Sequence, residues 1–107
     1  MTTKIINLTP HAITITDGPT FAPSGQIARV TTHQVDAGTI NGIPVKTQTF
    51  GDIIDLPAQQ DNTVYIVSAI VLAAAKEAGR TDVVAPDTAN AIRNDSGHIV
   101  SVPGFVK

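Results

Sequence analysis

The side chains best suited to chemistry lie near the start of the chain, where three hydrogen-bonding groups fall within five positions. Asn7, Thr9 and His11 alternate with Leu8 and Pro10. The amide and the hydroxyl can meet base or ribose edges, and the histidine can donate to a phosphate or act as a general base. The same residues also suit an Asx or Thr turn in which Pro10 fixes φ. A recognition loop and a plain turn are both compatible with this pattern.

A second candidate is Ser68, which separates the β-branched run Thr63–Val67 from the alanine-rich stretch Ala69–Ala78. A strand that runs into a helix places free N–H groups and the positive end of the helix dipole at the junction, which favours an anion there. Ser68 would cap the helix with or without a ligand. Arg29 and Arg93 could also meet an anionic ligand, although a solvated arginine on a strand face is the alternative.

The usual catalytic and metal-binding signatures are missing from the sequence. His11, His33 and His98 show neither the i, i+4 helical spacing nor the pairing with acidic residues that metal sites use, and no P-loop, nucleophile elbow or dinucleotide-binding glycine motif occurs. Without cysteine there is no thiolate nucleophile and no disulfide. We therefore expect no cofactor and no metal site. If the protein were an enzyme, His11 would act as acid or base, oriented by Asp82 or Asp95.

The composition predicts one small domain, residues 1–107, because this length is close to the commonest domain size. Seven basic and nine acidic residues give a net charge of −2 without any basic run, which disfavours binding to a nucleic-acid polymer. Charged residues make up only 15%, so we expect a homo-oligomer whose subunits cover one another's sheet edges. The N-terminus lacks signal-peptide features and no apolar run could span a membrane, so a cytoplasmic location in a bacterial host cell is expected.

Short segments rich in Ile, Val and Thr, separated by eight Gly and seven Pro, predict a mainly β domain. The predicted strands are Lys4–Leu8, Ala12–Thr16, Ile27–Val35, Ile43–Phe50, Thr63–Val67, Thr81–Ala85, Ala91–Arg93 and His98–Val102. Ala69–Ala78 is the one predicted helix, buried and ended by Gly79, and Arg80 beyond it is expected to serve the helix dipole or a carboxylate. The predicted fold class is α+β: a mainly β mixed sheet with one buried helix in a strand-helix-strand crossover and a C-terminal hairpin.

Several short motifs together resemble a family of small proteins found in phages, prophages and bacteria. The motifs are Asn7–His11, Phe50-Gly51, Leu56-Pro57, Tyr65–Ser68, Arg80-x-Asp82 with Pro86, and Arg93-x-Asp95-x-x-Gly97. They extend over nearly the whole chain, and the N-terminal Asn-Leu-Thr-Pro-His motif is the most specific. One departure is that Ala78-Gly79 precedes Arg80 here. The resemblance implies a phage or bacterial origin and says little about chemistry.

Three functions from different classes are compatible with these residues. The favoured one is a non-enzymatic phage-type protein that captures a small anionic, nucleotide-derived ligand, for example to sequester a defence signal. The expected ligand-binding residues are Asn7, Thr9, His11, Arg29, Ser68 and Arg93. The first alternative is a small enzyme that acts on a nucleotide or phosphate compound through His11. The second is a structural or virion-associated protein that self-assembles, which the low charge and the exposed-strand risk favour.

Overall fold

Strands dominate the computed structural model, which describes residues 3–107. In chain order the elements are β1 (Lys4–Asn7), β2 (Ile13–Thr14), β3 (Thr20–Phe21), β4 (Arg29–Ile40), β5 (Ile43–Ile54), β6 (Thr63–Ile66), α1 (Ala69–Glu77), β7 (Val83–Pro86), β8 (Ile92–Arg93), β9 (Ile99–Ser101) and β10 (Phe105–Val106). A short 3-10 turn, Thr88–Asn90, follows β7. The mainly β composition, the one α-helix of the described residues and the mixed sheet confirm the predicted α+β class.

The central sheet has the strand order β1-β6-β7-β10. The first three strands are parallel, and β10 pairs with β7 in the antiparallel direction. β6 lies between two neighbours, and both Tyr65 and Ile66 are fully buried. This position explains why residues 63–67 form a continuous run of β-formers instead of an alternating pattern. The helix α1 connects the parallel strands β6 and β7 along the chain.

The hydrophobic core lies between this sheet and α1. Residues of β6 and β7 that alternate along each strand share the face that meets the helix. The core cluster comprises Leu8, Ala28, Tyr65, Val67, Val71, Leu72, Ala75, Val83 and Ala85. The helix ends in a Schellman motif, because Gly79 takes a φ of 83° while its N–H bonds to Lys76 O and the N–H of Arg80 bonds to Ala75 O. Gly79 is thus the helix stop that the sequence predicts.

β4 and β5 form a long antiparallel hairpin, called the arm below. Asn41 and Gly42 make its two-residue turn with φ angles of 51° and 78°, as a type I′ turn requires. β4 continues to Ile40, past the predicted end at Val35, because an irregularity between Asp36 and Thr39 absorbs the extra residues without ending the pairing. The radius of gyration is 16.5 Å, whereas a compact chain of this length would have about 13 Å. The arm therefore makes the molecule elongated.

Two small hairpins lie outside the central sheet. β2 pairs with β3, and β8 pairs with β9, both in the antiparallel direction. The two hairpins are joined because Thr16 N donates to Val102 O and Val102 N donates to Thr14 O, at 2.8 and 2.9 Å. The joint brings the segment that follows β1 against a segment from the end of the chain.

Candidate functional site

The loop after β1 is held together by the side chain of Asn7, which is only 2% exposed. Its Nδ2 donates to His11 O at 2.8 Å and to Phe21 O at 2.9 Å. Its Oδ1 accepts from Thr9 N at 2.9 Å and from Thr9 Oγ1 at 2.6 Å. The four bonds use both donors of the amide and both lone pairs of its oxygen. Asn7 therefore fixes the loop and has no capacity left for a ligand.

Thr9 completes the same internal network. Its hydroxyl donates to Asn7 Oδ1 and also approaches His11 O at 2.9 Å, and the residue is 8% exposed. Asn7 and Thr9, both expected from the sequence to contact a ligand, thus lie inside the loop. Pro10 and His11 are the exposed residues of the Asn-Leu-Thr-Pro-His motif, and the imidazole of His11 is its exposed hydrogen-bonding side chain.

His11 lies at a cleft of about 240 Å³ between the end of β7 and the small hairpins. The loop after β1, the strand β2, the end of β7 with the 3-10 turn, and β9 contribute to it. The lining residues are His11, Ala12, Ile13, Thr14, Pro86, Thr88, Ile99, Val100, Ser101 and Val102. Because β1 and β7 are parallel, the loops that follow them meet at the carboxyl edge of the sheet, where open α/β sheets commonly bind ligands.

The cleft has mostly apolar walls and few free polar groups. The hydroxyls of Thr14 and Ser101 are already bonded to those of Thr20 and Thr16, at 3.1 and 2.8 Å. The imidazole of His11 and the hydroxyl of Thr88 form no side-chain hydrogen bond with the rest of residues 3–107. A ligand in the cleft would therefore contact apolar surface and would find hydrogen-bonding partners in these two side chains.

Arg93 lies on β8, next to the strand that forms one wall of the cleft. It is in register with Ile99, and cross-strand partners project from the same face of an antiparallel pair. Its Nη1 donates to Gly97 O at 2.9 Å, which holds the side chain along its own hairpin. Arg93 is exposed, so its guanidinium has further donors that face solvent.

Ser68 and Arg29 line a separate shallow depression of about 220 Å³. Ser68 is the N-cap of α1, and its Oγ accepts from Val71 N at a long 3.4 Å. The Arg29 guanidinium approaches the Asp55 carboxylate at 3.7 Å, with both side chains largely exposed. The six predicted ligand-binding residues therefore lie in three places. Asn7, Thr9 and His11 belong to the loop after β1, and Arg93 lies on the strand beside the cleft. Ser68 and Arg29 lie in the second depression.

Arg80 and Asp82 form the strongest charge pair in the described residues, away from the cleft. Arg80 Nε and Nη2 donate to the two carboxylate oxygens at 2.9 and 2.8 Å, and Nη2 also donates to Pro57 O at 2.9 Å. These hydrogen bonds lower the pKa of Asp82 and raise that of Arg80, although burial opposes both shifts. The expected carboxylate partner of Arg80 is therefore Asp82.

The position of Asp82 separates it from His11. Asp82 precedes the amino end of β7, whereas His11 follows the carboxyl end of β1, and the two strands run in parallel within one sheet. The residues consequently lie at opposite edges of the sheet. Asp95 is exposed in the β8–β9 turn and does not line the cleft. Neither acid is placed to orient His11.

Sequence reasoning missed several residues that shape the cleft. Thr88 follows Pro86 in what looks like an ordinary loop, and Ile99 and Val100 look like ordinary strand residues. A usable signal was that Ile99 and Val100 are consecutive apolar residues in a short strand, so one of them must face outward. Both are in fact exposed, at 45% and 54%.

Comparisons with protein-family models, with curated proteins and with solved structures find no match to this chain. Within residues 3–107, no cluster of three or more His, Cys, Asp or Glu side chains is placed to hold a metal ion. None of the helices described here has the length and apolar character needed to cross a membrane. The geometry of the chain itself therefore carries the functional argument.

Proposed function

We propose that this protein is a non-enzymatic binding protein that captures a small anionic, nucleotide-derived ligand in the His11 cleft. The observation that carries the proposal is the cleft itself, an apolar concavity at the carboxyl edge of the sheet with unbonded polar groups at His11 and Thr88. Apolar walls with a few oriented polar groups are typical of small-molecule sites.

The walls of the cleft and the hydrogen-bond donors near it suggest the class of ligand. Ile99 and Pro86 offer apolar contact to a planar ring, and a cleft of about 240 Å³ has room for one such group. His11 lines the cleft and Arg93 lies on the strand paired with its β9 wall, so both would supply donors to an anionic group there. A nucleoside phosphate combines these two chemistries in one molecule.

Binding without turnover is favoured over catalysis because His11 has no partner for acid-base chemistry. General acid-base catalysis and nucleophilic catalysis both depend on a second group that orients or completes the first. His11 is the one titratable side chain among the residues that line the cleft, and Asp82 lies at the opposite edge of the sheet. The biological role that suits a binder of this kind is sequestration of a nucleotide signal in a bacterial cell, as in phage anti-defence.

The proposal is tested by calorimetric titration with adenosine 5′-monophosphate, adenosine and inorganic phosphate, followed by a panel of other nucleoside phosphates. We expect a nucleoside phosphate to bind more tightly than either the nucleoside or phosphate alone. His11→Ala should weaken its binding about 10-fold or more, because a hydrogen bond to a charged group is lost. Thr88→Val should weaken it less.

The matched control is His33→Ala, which removes an exposed histidine from the arm instead of the cleft. Its affinity should equal that of the wild type. Binding that is unchanged in His11→Ala, or equally weakened in both histidine variants, would contradict the assignment of the cleft. Failure of every nucleoside phosphate to bind the wild type would contradict the ligand class.

A further inference from the structure

The two faces of the arm differ in chemistry. Side chains alternate between faces along a strand, and cross-strand partners share a face. Along β5 one face carries Ile43, Val45, Thr47 and Thr49, and the register adds Ile40 opposite Ile43, Val35 opposite Thr47 and, at the inner end, His33 opposite Thr49. We call the outer set of Val35, Ile40, Ile43, Val45, Thr47 and Thr49 the apolar arm face.

The opposite face of the arm is polar beyond its root. It carries the cross-strand pairs Gln34 with Gln48, Asp36 with Lys46, and Thr39 with Pro44. We call these six residues the polar arm face. Alternation of this kind is typical of a strand pair with one face buried and one face in water.

The apolar arm face nevertheless lies in solvent in the single chain. Val35, Ile40 and Ile43 are 58%, 64% and 65% exposed. The helix cannot cover this face, because α1 meets the opposite one: Val30 and Thr32 share a depression with Ile70 and Val71 of α1. Within the described chain, the outer part of the arm therefore exposes the face that its sequence pattern marks for burial.

We propose that the apolar arm face packs against the same face of a second copy of this chain. Two observations select a copy over a different partner. The face carries no Asp, Glu, Lys or Arg, so two identical faces meet without like-charge repulsion. A partner recognised by charge would find no complement on the apolar arm face.

The size of the face sets the expected strength of such a pairing. The apolar arm face extends over seven residues of β5, 43–49, or roughly 23 Å, and two strands side by side are roughly 10 Å wide. Two such faces in contact remove roughly 500 Å² of accessible surface, which is the size of a weak, transient interface. Face-to-face packing would also support the hairpin, since an isolated two-stranded hairpin is at best marginally stable in water.

The proposal is tested by sedimentation velocity over a range of concentrations. We expect the wild type to associate, and we expect Val35→Lys/Ile43→Lys to weaken association about 100-fold or more, because two buried apolar contacts per copy are replaced by like charges. The control is Gln34→Lys/Pro44→Lys, which adds the same charge to the same strands on the polar arm face. It should associate as the wild type does, and circular dichroism should show that both variants are folded.

A wild type that stays monomeric up to about 1 mM would overturn the proposal, since even a weak, transient interface should associate measurably at that concentration. Equal dissociation of the two lysine variants would also overturn it. A second measurement uses the absence of cysteine from the chain. Thr47→Cys should form a covalent dimer with a short bis-maleimide, and Gln48→Cys, one residue along on the other face, should not; the reverse pattern would place the contact on the wrong face.

Discussion

Asn7 shows how one buried side chain can decide the shape of a loop. Its amide joins the chain at Thr9, His11 and Phe21, so the loop after β1 is tied both to itself and to the hairpin β2–β3. Because His11 lies within this tied loop, the brace also sets where the imidazole meets the cleft. The role of Asn7 in binding would then be indirect.

We expect Asn7→Ala to lower the free energy of unfolding by about 2–4 kcal/mol, because it removes four hydrogen bonds and leaves buried backbone groups without a partner. Thr9→Val is a milder change that removes only the Thr9 hydroxyl from the same network. It keeps the volume and both bonds donated by Asn7, so it should cost only about 1 kcal/mol. Urea unfolding measures both changes. An Asn7→Ala variant as stable as the wild type would contradict the claim that the hydrogen bonds of Asn7 stabilise the loop.

The sequence could identify these residues but could not assign their bonds. Asn, Thr and His have the same donors and acceptors whether they face a ligand or the backbone, so the motif predicted a turn and a recognition loop equally well. Asn7 and Thr9 bond to the chain instead of a ligand because they are buried. Their burial depends on segments distant in sequence, such as the one containing Phe21. His11 alone among the three residues was left facing the cleft.

At the scale of elements, the Arg80–Asp82 pair ties the end of α1 and the start of β7 to the segment before β6. Arg80 reaches Pro57 O as well as both oxygens of Asp82. The Asp82 side chain is only 6% exposed and that of Arg80 is 21% exposed, so water screens the pair weakly. Loss of either partner would leave a largely buried charge without compensation.

We expect Asp82→Asn to lower the free energy of unfolding at pH 7 by about 2–4 kcal/mol. The pKa of Asp82 is lowered in the folded state, so its stabilising contribution is complete above the unfolded value of about 3.9 and is lost as the pH falls through the folded pKa. The difference between wild type and variant should therefore shrink below about pH 4. Urea unfolding over this pH range tests both statements.

Asp95→Asn is the matched control, since Asp95 is exposed in a turn and its replacement should change stability by less than about 0.5 kcal/mol. A wild-type advantage over Asp82→Asn that persists unchanged at low pH would show that the carboxylate charge is not the source of the stability.

Elements with strong local signals were predictable from the sequence. The alanine-rich pattern and Gly79 predicted α1, and Asn41-Gly42 predicted the turn of the arm. The full length of β4 was not predictable, because Gly38 within it looks like a strand end and continues only through an irregular pairing. Whether Asp82 could reach His11 was likewise undecided, since that depends on the parallel order of β1, β6 and β7.

At the scale of the whole molecule, the fold separates two exposed regions. The cleft lies between the end of β7 and the small hairpins, and the arm extends away from the core. The low charge of the sequence predicted some surface for a partner, and the proposed pairing of two copies would use the arm. The walls of the cleft were beyond sequence reasoning because Ile99 and Val100 lie almost ninety residues after His11.

The central claim is capture of a nucleotide-like anion without its conversion, and native mass spectrometry tests it most directly. The protein would be incubated with a bacterial small-molecule extract, separated from it, weighed in its native state, and then denatured to release what it holds. We predict one bound nucleotide-like mass per cleft, at reduced occupancy in His11→Ala, and recovered unchanged when the purified compound is incubated with fresh protein. An empty wild-type protein, or recovery of a product in place of the compound, would contradict the account.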